Sequence, residues 1–117
     1  MALKHLTVEK KDKIASIILN RPNVMNAMSK EMILGLWDAV QEIAVDEGVQ
    51  VLILKGAGDH FCSGADLNLF TENTSSYEWI TAMKGVGQIV KTMREMPQPV
   101  IAMLKGPGVG RNENGRI

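Results

Sequence analysis

Two glycine-rich stretches each follow an apolar run, and there the chain could hold a charge without using a side chain. Lys55-Gly56-Ala57-Gly58-Asp59 follows Val51-Leu52-Ile53-Leu54 and leads into Cys62-Ser63-Gly64-Ala65-Asp66-Leu67. Gly106-Pro107-Gly108-Val109-Gly110 follows Val100-Ile101-Ala102-Met103-Leu104. Small residues let a ligand approach the backbone closely. Backbone N–H groups presented this way, especially at a helix start, can hold negative charge developing on an oxygen. The same composition also makes ordinary turns, so spacing must discriminate. Gly106-x-Gly-x-Gly110 runs into Arg111 where a dinucleotide fingerprint needs glycine or alanine, and Gly56-x-Gly58 lacks the Lys-Ser/Thr of a phosphate-binding P-loop.

The reactive side chains around these loops offer less. Cys62, the one cysteine, has no activating base in view and reads as a small packing residue. His60 reads as a loop residue beside Phe61. Asp66 reads as a helix cap in preference to a proton-transfer group. With one cysteine and two histidines far apart, there is no intrachain disulfide and no zinc-like spacing, so no metal site is expected. The methionines fall mostly at helix-core spacing.

These loops need elements to position them. Leu6–Lys10 alternates apolar and polar residues as a half-exposed strand does, Lys11–Lys13 reads as a turn, and β-branched Ile14–Leu19 reads as its hairpin partner. Asn20-Arg21-Pro22-Asn23 stops that strand. Ser29 is the expected N-cap of a helix that presents Met32, Leu36, Val40 and Ile43 on one face, with Ile33 and Trp37 beside them and Gly48 as its stop. Val51–Leu54 and Val100–Leu104 read as neighbouring buried parallel strands, covered on both faces. Between them a helix over Tyr77–Met96 should bury Ile80, Met83, Val86, Val90 and Met93. The order β-β-α-β-loop-α-β is that of an α/β sheet with parallel crossovers. Ligands of such sheets bind at the carboxyl ends of the strands, where both glycine-rich loops fall.

Composition bounds the function. The chain has 117 residues, enough for one small domain, and its 13 Lys and Arg balance 13 Asp and Glu. Zero formal net charge argues against nucleic acid as a partner, because counterion displacement needs a basic surplus. The apolar stretches are strand-sized, so no membrane span is expected, and the N-terminus holds no leader-like apolar run. The cytoplasm is the expected compartment.

Three segments carry a resemblance. Leu19-Asn20-Arg21-Pro22 with Asn26-Ala27-Met28, Val51–Gly56 with Phe61–Leu67, and Pro99–Ala102 with Gly106–Gly110 resemble, in order and with similar gaps, the motifs of the enoyl-CoA hydratase/isomerase (crotonase) family. The resemblance runs from about Leu3 to Gly110. It implies an α/β crotonase-like ββα-superhelix, truncated after the second oxyanion-loop region, with residues 1–110 forming the N-terminal part of an acyl-CoA-binding domain and 111–117 a divergent tail. It implies hydration of 2-enoyl-CoA thioesters, with double-bond isomerisation and a non-catalytic CoA-binding or subunit-associating fragment as alternatives. The Ala65 N–H is implied as the first oxyanion donor. The region of Gly110 and Arg111 is implied as the second, although Arg111 stands where the family has glycine. Asn26, Ala27, Gly64, Asp66, Leu67 and Asn68 are implied to border the thioester, the pantetheine or the CoA channel. Glu113 falls one residue short of the place of a catalytic glutamate. No separate cofactor is implied, coenzyme A being part of the substrate, and the longer enzyme is expected to be a homo-oligomer, a trimer or hexamer.

Overall fold

The computed structural model describes residues 2–3, 5–62 and 76–104. Its elements are β1 (Ala2–Leu3), β2 (Leu6–Lys11), β3 (Ile14–Leu19), a 3-10 turn (Pro22–Val24), α1 (Lys30–Ala44), β4 (Val51–Gly56), α2 (Ser76–Glu95) and β5 (Val100–Ala102). The strands form one sheet in the order β1-β2-β3-β4-β5. The β2–β3 pair is an antiparallel hairpin registered from Leu6 opposite Leu19 to Lys11 opposite Ile14. Asp12, with φ +57, closes it. From β3 onward the sheet is parallel: Leu19 stands opposite Gly56, and Leu54 opposite Ala102. The carboxyl ends of β3, β4 and β5 therefore meet at one edge.

Alternation along the strands decides which face is filled. Ala15, Ile17, Leu19 and Leu52 are buried, and they pack with Met32, Ile33, Leu36, Ala39, Val40 and Ile43 of α1. Burying a side chain such as Ile17 or Leu52 fully contributes about 1.5–3 kcal/mol relative to exposure. The expected cap is present: the Ser29 hydroxyl accepts from Met32 N at 3.1 Å, an interaction contributing about 1 kcal/mol. The helix stops at Ala44, earlier than Gly48. Gly48 instead belongs to a turn in which its N–H donates to Asp46 Oδ1 at 2.8 Å. Lys10 also reaches Asp46, at 3.0 Å. That Lys10 hydrogen bond, and then the Gly48 N–H, hold the Asp46 carboxyl below the usual carboxylate range. Gln98, buried just before β5, donates Nε2 to Ile43 O at 2.9 Å, a second donor to a carbonyl of the last turn of α1 that also accepts from Asp46 N at 3.1 Å.

Two expectations need correction. The buried stripe of α2 is rotated from the one periodicity selects. Ala82, Gly85 and Ile89 are buried, with Val86, Met93 and Met96 packed beside them, whereas Ile80 and Val90 are 47% and 48% exposed. The cause is Gly85. A Cβ there would lie 3.2 Å from Ile33 Cγ2, so the helices approach closely at Gly85, with Ile89 on the same buried stripe and Ile80 and Val90 left outward. The expectation that both central strands are covered on two faces also fails. Ile101 is 51% and Met103 52% exposed, and Ile14 is exposed on the same side of the sheet. β5 is an edge strand of three residues, and no described element covers that face. Among the described residues, no helix is long and apolar enough to cross a membrane.

Candidate functional site

The end of β3 and the end of β4 are locked together by backbone and by one side chain. Beyond Leu19 the chain folds into a closed turn: Val24 N and Asn26 N both donate to Arg21 O, at 3.0 and 2.9 Å, and Ala27 N donates to Val24 O at 3.1 Å. Arg21 closes the turn from the other side, its Nη1 donating to Ala27 O at 2.6 Å. Pro22 at the first position of the 3-10 turn supplies the required φ and lacks an N–H that would have had no partner there. Met25 and Asn26 both adopt left-handed backbone, φ +55 and +56. Asparagine tolerates this region better than other non-glycine residues.

Asn26 spans the gap to the β4 loop. Its Oδ1 accepts from Arg21 N at 2.7 Å, while Nδ2 donates to Ala57 O at 2.9 Å and His60 O at 2.7 Å. The side chain has no exposed surface. Ala57 N donates to Leu19 O at 2.8 Å, continuing the β3–β4 ladder one residue beyond the strands. Gly56 lies under this crossing, where a Cβ would collide with the carbonyl oxygens of His60 and Phe61 and come within 2.7 Å of Asn26 Nδ2. Gly58, at φ +77, makes the turn against Pro22. Sequence stretches 31 residues apart thus form one block at the carboxyl edge of the sheet.

Of the site residues read from sequence, Asn26 and Ala27 are in this block. Asn26 is engaged with backbone on every described contact, and Ala27 contributes its carbonyl to Arg21. Gly64, Ala65, Asp66, Leu67, Asn68, Gly110 and Arg111 lie outside the described residues, as does Glu113. Cys62, half-buried, packs against the core. Among the described residues, no three His, Cys, Asp or Glu side chains come together as metal ligands. Sequence reasoning missed the structural use of Arg21, Gly56 and the Ala57 and His60 carbonyls. The available signal was an asparagine set five residues after an arginine inside a proline turn, a place that favours left-handed backbone. A surface groove lined by Asp46, Gln50, Pro97 and Gln98 lies at the opposite edge, by the amino ends of β4 and β5.

Comparison with known proteins agrees with this architecture. A family model described as enoyl-CoA hydratase/isomerase matches residues 9–111. A crotonyl-CoA hydratase from Syntrophomonas wolfei is 37% identical over 112 residues, covering 94% of this chain and 42% of that protein. The peroxisomal enoyl-CoA delta isomerase 3 of Mus musculus is 30% identical over 109 residues, 92% of this chain and 34% of its own length. The crystal structure of an enoyl-CoA hydratase/carnithine racemase from Magnetospirillum magneticum superposes with a TM-score of 0.79 at 33% identity, over 90% of this chain and 40% of that one. The chain therefore spans well under half the length of these relatives.

Proposed function

Because the chain belongs to the enoyl-CoA hydratase/isomerase family, we propose that it is the thioester-binding part of an enzyme that adds water to 2-enoyl-CoA. The observation that carries this reading is the parallel β3-β4-β5 order. It sends the loops after all three strands out from one edge, the place where open α/β sheets bind ligands. In the proposed reaction a water oxygen bonds to the β-carbon as a general base of the longer enzyme takes one of its protons. The Cα=Cβ π pair becomes the enolate double bond while the carbonyl π pair moves onto the thioester oxygen, and a proton returned by a general acid joins the α-carbon as the carbonyl re-forms. The Ala65 N–H, five residues past His60 of the locked block, is the proposed first donor to that oxygen. A second donor is proposed from the Gly110–Arg111 region, and Gly64, Asp66, Leu67 and Asn68 border the bound thioester. Preorganised donors of this kind are commonly the largest single contribution to such a step. The acyl-CoA thioester is the only small-molecule partner the reading needs, and no separate cofactor takes part. Double-bond isomerisation also develops enolate charge on the thioester oxygen, through a dienolate formed by loss of a carbon-bound proton, and the Mus musculus relative bears an isomerase name. A trimer or hexamer is proposed for the longer enzyme.

Calorimetric titration with crotonyl-CoA tests the reading. The chain should bind it, and Ala65→Pro, which deletes the N–H, should weaken binding about tenfold or more with unchanged far-UV circular dichroism. Equal binding by that variant rules out Ala65 as the donor. By the resemblance Glu113 falls one residue short of the catalytic glutamate's place, so we expect the chain to hydrate crotonyl-CoA no faster than a heat-denatured control. Robust turnover would show that the proton-transfer groups have been misplaced.

A further inference from the structure

The primary amide of Asn26 has two donor hydrogens and one acceptor oxygen. Both hydrogens are directed to loop carbonyls, those of Ala57 and His60, and the oxygen takes the Arg21 N–H. The group has no exposed surface, and neither of its donors is left for a bound molecule. Its left-handed backbone and its crossed hydrogen bonds both suit asparagine. Aspartate would turn a charged oxygen toward two carbonyls, and alanine would leave both carbonyls without this donor. The Gly56 position repeats the point, since even a methyl group there would displace the carbonyls from the amide.

We infer that Asn26 is a positioning residue for the thioester site. Its amide holds the backbone at Ala57 and His60 and so fixes where the chain departs toward Ala65, without itself touching substrate. The inference rests on the proposed role of Ala65. It assigns Asn26 a task different from lining the CoA channel.

The test uses the full chain, Asn26→Gly, which keeps the left-handed backbone and removes only the amide, and Asn26→Asp, which removes the donors. Ile43→Val, a core change near the far end of α1, is the control for plain destabilisation. Hydrogen exchange at the Ala57 amide should accelerate about tenfold or more in both Asn26 variants, while the β2–β3 amides of Val8 and Ile17 change less than about twofold. Crotonyl-CoA affinity should fall about tenfold or more. Ile43→Val should lower the unfolding midpoint yet leave the affinity and the Ala57-to-Val8 exchange ratio unchanged. A uniform rise in exchange across the sheet, no rise at Ala57, or parental affinity in the Asn26 variants would overturn the inference. If the parent chain itself binds no crotonyl-CoA, the role of Ala65 fails separately. The exchange contrast then decides alone: a rise confined to Ala57 supports the hold of the Asn26 amide on this loop, and a uniform or absent one ends the inference.

Discussion

Gly56 is a glycine for steric reasons, because its φ is not among the positive values and the space for a Cβ is filled by backbone carbonyls and the Asn26 amide. Backbone cannot yield as a flexible side chain can. Gly56→Ala should therefore cost about 2 kcal/mol or more, seen as a lower urea midpoint with unchanged slope. A midpoint equal to that of the parent would mean the loop is held less tightly than these hydrogen bonds indicate. At this scale the sequence was only half legible. Asn26 stood out as a site residue, but its use in the structure, one backbone partner in its own turn and two on a loop 31 and 34 residues away, comes largely from tertiary contact that no local spacing encodes. Gly56 drew notice as part of a glycine-rich loop that could hold a charge, whereas its place is under a crowded crossing.

At the scale of elements, Gly85 and Gly87 make opposite cases on one helix. Gly85 faces α1, with Ile33 Cγ2 3.2 Å and Trp37 Cε3 3.8 Å from a would-be Cβ, while nothing lies within 4 Å at Gly87. Gly87→Ala should stabilise the chain by about 0.5–1 kcal/mol through helix propensity alone. Gly85→Leu should destabilise it by about 1–3 kcal/mol through overpacking. Thermal melts of the two variants should shift in opposite directions, and a shared direction would contradict the helix contact. The hairpin, α1 with its Ser29 cap, and both parallel strands were readable because alternation, capping and apolar runs are local signals. The orientation of α2 was not, since periodicity weights the largest apolar residues whereas the helix pair approaches closely at Gly85. β1 was missed because two residues carry no pattern.

At the scale of the whole molecule, one sheet face is filled by α1 and α2, and the other exposes Ile14, Ile101 and Met103. Exposed apolar surface of this kind draws partners or aggregates, and among the described residues β5 is an edge strand. The isolated chain should therefore sediment as species larger than a monomer at low micromolar concentration. Ile101→Lys should shift it toward monomer without loss of helix content, because Ile101 is not part of the packed core. A cooperative, strictly monomeric parent chain would show that this face is stable in water as it stands.

The sheet is laid down in the order in which the ribosome makes it. Among the described residues, each strand after the first pairs with the one synthesised just before it, so a strand leaving the exit tunnel finds its partner already in place. No early strand has to wait for a distant one, and the slow search that separated pairings impose is confined to bringing α1 and α2 across as they emerge. Growth from one side also leaves a single advancing edge, which moves from β3 to β4 to β5 as translation proceeds. Among the described residues β1 stays the other edge throughout, so a chaperone would meet one fixed edge and one moving one.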